Sequence, residues 1–176
     1  GIWKEASDME VYGSVFFNNG FVGTDRCHGH AIYGQNQTGS KWMTDNVIFN
    51  SYERNVQLYG SDQAYVDNMD FEGNIVAEAG GPCQQISGYS QNIMLGGGHG
   101  VHNGKVISNY TYISGSGASY GNTVGLYAPE VRNTVVQGNW FMNKGGAGNY
   151  ALEMEMLTTG ITVSGNTFIG PTLGLD

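Results

Sequence analysis

Apolar runs interrupted by one polar residue recur six times along this chain. They are Val11-Tyr-Gly-Ser-Val-Phe-Phe17, Met43-Thr-Asp-Asn-Val-Ile-Phe49, Tyr65-Val-Asp-Asn-Met-Asp-Phe71, Val106-Ile-Ser-Asn-Tyr-Thr-Tyr112, Val136-Gln-Gly-Asn-Trp-Phe-Met142 and Val163-Ser-Gly-Asn-Thr-Phe-Ile169. Each reads as strand, corner, strand, with the corner at Ser14, Asn46, Asn68, Asn109, Asn139 or Asn166. Asn suits a corner because it tolerates the left-handed conformation and bonds nearby backbone. A second set alternates with the first and centres on the anchors Ile2, Ile32, Leu58, Leu95, Leu126 and Leu152. The repeating unit is therefore three short strands: one anchor strand and the pair that flanks the corner.

The anchors are 30, 26, 37, 31 and 26 residues apart. From anchor to the next corner the distance stays between 10 and 14, whereas from corner to the next anchor it ranges from 12 to 27. Insertions are thus confined to one side of the unit, as in repeat folds whose loops build a binding face.

Three strands and one Asn corner per unit, with irregular loops on one side, resemble the right-handed parallel β-helix of the pectin-lyase-like superfamily. The resemblance covers the whole chain and implies an all-β solenoid of about six turns, with three strands per turn and the corner asparagines stacked in a ladder. Residues 1–176 form one such domain. Residues 1–3 already fall in an anchor strand and residues 171–176 begin a seventh, with no capping helix at either end. The expectation is a slice of a longer β-helix, or ends covered by a partner or another copy of the chain, that is, end-to-end self-association.

Composition narrows the partners. The 29 Gly lack a collagen period and 40% of residues are hydrophobic, so neither a triple helix nor a disordered chain fits. Net charge is −8 with only 7 Lys+Arg, which disfavours nucleic acid and anionic membranes as partners. No apolar run is long enough for a membrane helix. The four His and two Cys show no zinc spacing, so no metal is expected, and the glycine run at 96–98 lacks the Lys-Ser/Thr of a phosphate-binding loop. An acidic, sparsely charged surface of this kind suits an extracellular or cell-surface protein.

If the anchors point inward, the residues after them point out: Trp3, Tyr33, Tyr59, Gly96, Tyr127 and Glu153. The expectation is a line of rings standing in water, on which sugars stack while polar groups such as Gln35 orient them. In pectate lyases and related enzymes the cleft lies outside the equivalent strand, so the resemblance makes residues 18–29, 72–92 and 114–122 its walls. Cys27 and Cys83 fall in the first two walls, and a disulfide between them across the short loop 51–55 would rigidify the cleft.

Catalysis would need more. Glu153 and Glu155 alternate on one strand about 6–7 Å apart and are the best acid pair for glycoside hydrolysis. His28, in His28-Gly-His30, is a candidate general acid or base. Gly98-His-Gly100 echoes a polygalacturonase motif and marks His99 as a substrate contact, although that family's Asn-x-Asp, Asp-Asp and Arg-x-Lys companions are missing. Several β-helix lyases pair calcium with Lys or Arg. Here Lys4, Arg26 and Arg54 are the basic residues near the cleft, and no dense acidic cluster is present, so calcium stays open as the only cofactor. The favoured expectation is a secreted protein that binds, and as lyase or hydrolase cleaves, polysaccharide. The alternative is a structural protein: adhesin, fibre or self-stacking filament subunit.

Overall fold

In the computed structural model the chain is all-β and its three large sheets are parallel throughout. The structure describes residues 1–4, 6–83, 90–114, 121–144, 150–170 and 174–175. Among them no helix is long and apolar enough to cross a membrane.

The chain visits the sheets in rotation. The first holds Ile2–Lys4, Ile32–Gly34, Val56–Gly60, Ser90–Gly97, Gly121–Arg132, Leu152–Thr159 and Gly174–Leu175 in that spatial order, with Val101–His102 and Val66–Asp67 joined to the far end of Gly121–Arg132. The second holds Met9–Tyr12, Lys41–Thr44, Met69–Glu72, Lys105–Ile107, Val135–Gln137 and Thr162–Ser164. The third holds Val15–Phe17, Val47–Phe49, Ile75–Ala77, Tyr110–Ile113, Trp140–Asn143 and Thr167–Ile169. Each strand therefore pairs with its counterpart one round later, which satisfies the backbone along the stack. Strand alternation then sends alternate residues of each sheet into a single core. Val11, Met43, Phe71, Val106 and Val136 come from the second sheet, and Ile48, Val76 and Phe141 from the third. All are at most 6% exposed.

The corner between the second and third sheets is built from two residues. Gly13, Asp45, Gly73, Ser108, Gly138 and Gly165 carry the left-handed φ, between 55° and 69°. The residue after each is the ladder member. Asn46, Asn74, Asn109, Asn139 and Asn166 are linked amide to amide at 2.8–3.0 Å, and the Oδ1 of each also accepts the backbone N–H of the preceding member. Ser14 begins the series by donating its N–H to Asn46. This corrects two expectations. The ladder asparagines do not adopt the left-handed conformation; their predecessors do. And the third rung is Asn74, in Phe71-Glu-Gly-Asn-Ile-Val-Ala77, not Asn68. Asn68 sits at the other corner, between the first and second sheets, in a separate row in which Asn103 donates to it at 2.9 Å.

The anchors also divide into two columns. Ile2 and Ile32 align with Val56, and Leu152 with Val124, while Leu58, Leu95 and Leu126 align with each other and with Met154. The expected single line of rings is split accordingly. Trp3 and Tyr33 lead on to Gln57, Met94, Gly125 and Glu153, whereas Tyr59 leads on to Gly96, Tyr127 and Glu155. Nor does that face stand freely in water: Gln57, Gln91, Met94 and Glu153 are at most 9% exposed, and Tyr33 and Tyr59 are half-buried.

Candidate functional site

The site is built around the strand Ile32–Gly34 and the residue that follows it. Ile32 packs inward, Tyr33 outward, and Gly34 lies where a Cβ would stand 3.1 Å from the Leu58 side chain and 3.4 Å from that of Met69. Absence of a side chain there lets the strand lie tight on the core. Gln35 then turns to the outer side, and Asn36 pairs with Val66 in an isolated bridge. The Gln35 amide donates to the Tyr59 carbonyl at 3.0 Å. Burial pushes the Tyr33 hydroxyl above its usual pKa, nearby Tyr59 adds to the effect, and a hydrogen bond with Gln35 opposes it. Gln35 therefore ties the two tyrosines of the split line together.

Open clefts lie on both sides of this junction. One, of about 510 Å³, is lined by Gln35, Asn36, Gln37, Ser61, Gln63 and Tyr65, with Ala64 as its small apolar patch. The other, of about 480 Å³, is lined by Gly1, Ile2, His30 and Tyr33. Amides, hydroxyls and the Tyr65 ring line the first cleft, and Ile2, His30 and Tyr33 line the second, so neither is lined by an Asp, Glu, Lys or Arg side chain.

Beside Tyr33 runs a charged belt. Arg54 donates to Glu53 at 2.6 Å, to Gln57 at 3.1 Å and to Gln91 at 3.0 Å. His30 sits 3.6 Å from Glu53, with its ring 5.7 Å from that of Tyr33. Burial drives the His30 pKa down; the Glu53 carboxylate opposes that and Arg54 reinforces it. Contact with Glu53 would by itself raise the pKa. The Glu53 charge, however, is already engaged by Arg54 at 2.6 Å, so desolvation prevails. This belt fixes the outer face but leaves Glu53 and Arg54 committed to each other. Of its members the sequence offered Arg54, as a cation, and His30, in His28-Gly-His30; Glu53, Gln57 and Gln91 carry no local motif.

The other candidates scatter. His28 lies on a short antiparallel hairpin, Phe21–Val22 with Cys27–His28, where it bonds Asp25 at 2.8 Å and stacks on Phe21 at 5.0 Å. That bond holds the Asp25 carboxyl below its usual range. Glu153 is buried at 6% exposure, and Trp3, Tyr127 and Glu155 are described in backbone only. The strand of Glu153 lies four strand spacings from that of Tyr33, roughly 19 Å. Glu153 and Glu155 therefore do not converge with His28 or with the Tyr33–Tyr59 junction. His99 lies against Tyr65 with ring centroids 3.8 Å apart and planes tilted by 32°, so it meets the larger cleft through that ring. Its neighbour His102 lies 2.9 Å from Asp67 and 3.6 Å from Glu130. Among the described residues no three His, Cys, Asp or Glu are grouped to hold a metal ion.

Cys27 and Cys83 are joined, with Cα atoms 6.1 Å apart. The bridge ties the hairpin to the residues after Ile75–Ala77, and Ser51 and Asn55, from the loop between, are buried. Residues 84–89 and 115–120, parts of the other two expected cleft walls, lie outside the described residues. No protein family, no curated protein and no solved structure matches this chain.

Proposed function

We propose that the three sheets are the faces of a right-handed parallel β-helix like those of the pectin-lyase-like superfamily, and that its first face binds a neutral polysaccharide. The rotation of strands through three parallel sheets and the asparagine ladder support the fold; parallel crossovers are right-handed almost without exception. The functional reading is carried by one observation: Gln35 joins Tyr33 to Tyr59 between two clefts, one lined by amides, hydroxyls and a ring and the other by Ile2, His30 and Tyr33. Pyranose rings offer flat C–H faces and dense hydroxyls, which such a lining complements. Net charge of −8 favours a neutral chain over a uronate polymer. The disulfide suits an oxidising compartment, hence the cell exterior or surface.

Binding fits this groove better than cleavage. The carboxylate beside it, Glu53, is held by Arg54, and the Glu153–Glu155 pair is remote. The test is affinity electrophoresis through gels cast with neutral glucans, mannans or xylans. Wild-type protein should be retarded by at least one of them. Tyr33→Ala with Tyr59→Ala should abolish the retardation, and Gln35→Ala should weaken binding about tenfold, the worth of one hydrogen bond. Mobility of the double variant equal to wild type in a retarding gel would rule the groove out.

A further inference from the structure

The outer face of the third sheet bears no charge. Register aligns two columns on it: Val15, Val47, Ile75, Tyr110, Trp140 and Thr167, then Phe17, Phe49, Ala77, Tyr112, Met142 and Ile169. Seven of these side chains are 37–63% exposed: Val15, Phe17, Phe49, Ile75, Tyr110, Trp140 and Ile169. The equivalent column of the second sheet reads Glu10, Trp42, Asp70, Lys105, Val135 and Thr162, a mixture in which three of the six side chains carry charge. The apolar face is therefore a property of one sheet and not of the fold.

Its size is informative. The seven exposed side chains present roughly 700 Å², above the 300–600 Å² usual for the largest apolar patch of a monomer and near the ~800 Å² that each partner buries in a stable interface. Its relief is informative too. Stacked pairs hold it flat, Phe17 on Phe49 at 5.6 Å and Tyr110 on Trp140 at 6.1 Å. Bulk is graded along the first column, with Val15, Val47 and Ile75 at one end and the large rings of Tyr110 and Trp140 towards the other.

We propose that this face docks on the same face of a second copy of the chain, with the two stacks of strands running in opposite directions. A two-fold axis along the strand direction sets the first row against the sixth, the second against the fifth and the third against the fourth. Val47 then meets Trp140, Ile75 meets Tyr110, and Ala77 meets Tyr112, so a small side chain faces a large one in each case. Phe49 meets Met142, and no charge is buried. The dimer leaves the groove on the first sheet free in both copies. It is a lateral contact, distinct from stacking of the ends.

Sedimentation equilibrium of the wild-type chain at about 50 µM, with dilution to about 0.1 µM, tests this. The expected mass at the higher concentration is twice the 18.9 kDa of one chain. Ile75→Asp places a carboxylate next to the axis and should weaken association at least about a hundredfold while leaving circular dichroism unchanged, since Ile75 is half-exposed and faces away from the core. Glu10→Lys, on the exposed second sheet, should associate as wild type does. Three results would overturn the proposal: a wild-type monomer at the higher concentration, an assembly that survives Ile75→Asp, as end-stacked rods would, or an open-ended mass above the dimer. Retention of a wild-type monomer on lipid vesicles or microcrystalline glucan would assign the face to that partner instead.

Discussion

Replacing Asn74 with Ala removes the rung that a sequence-only reading assigns to Asn68, so the two positions form a paired test. Asn74 is fully buried. Its Nδ2 donates to Met43 O at 2.7 Å, to Glu72 O at 3.0 Å and to Asn109 Oδ1 at 3.0 Å, and its Oδ1 accepts from the backbone N–H and the amide of Asn46. Alanine strands the buried Asn46 N–H and takes a donor from the Met43 carbonyl. At about 1–3 kcal/mol for each buried group left unpaired, plus a small cavity, the loss is about 3–5 kcal/mol. That is a large part of the ~5–15 kcal/mol of a typical domain. Asn68 must be replaced differently because its φ is +53°, where Ala would add strain of its own. Asn68→Gly removes only bonds near the surface, to Gly39 O and from Asn103. Its expected cost is below about 1 kcal/mol. Urea titration followed by tryptophan fluorescence and far-UV dichroism gives both values from the midpoint shift at constant slope. If Asn68→Gly costs as much as Asn74→Ala, the ladder described here is wrong.

Three further outcomes follow from the same geometry. Burial holds the His30 pKa below its ordinary 6.5, so on acidification the unfolded chain takes up that proton first. The native state should lose stability as pH falls below 6.5, and His30→Gln should flatten that slope in melting curves; an unchanged slope would contradict it. The Asp25 carboxyl, lowered by His28, contributes stability that is present above its ordinary 3.8 and lost only as pH falls further, so it does not confuse the His30 window. The Cys27–Cys83 bridge closes a loop of 56 residues, worth about 4 kcal/mol in chain entropy. Cys27→Ala with Cys83→Ala should lower the urea midpoint accordingly, and an unmoved midpoint would refute that account.

Strand, corner and anchor were legible in the sequence because each is a local pattern. Alternation of apolar and polar residues sets which side chains can face a core, and Asn46, Asn109, Asn139 and Asn166 were legible from the residues next to them. Two things were not. Val66-Asp-Asn-Met69 and Phe71-Glu-Gly-Asn-Ile75 carry the same local signature, and only strand pairing tells the corner before the second sheet from the corner after it. A slip of two residues between Ile32 and Leu58 keeps both side chains inside, so the period of a strand cannot detect it, yet it moves Tyr59 out of line with Tyr33. The belt from His30 through Arg54 to Gln91, and the uncharged breadth of the third sheet, likewise arise from residues distant along the chain. Local steric and solvation preferences made the unit; stacking one unit on the next decided which side chains became neighbours, because register is a property of pairs of strands and not of any one of them.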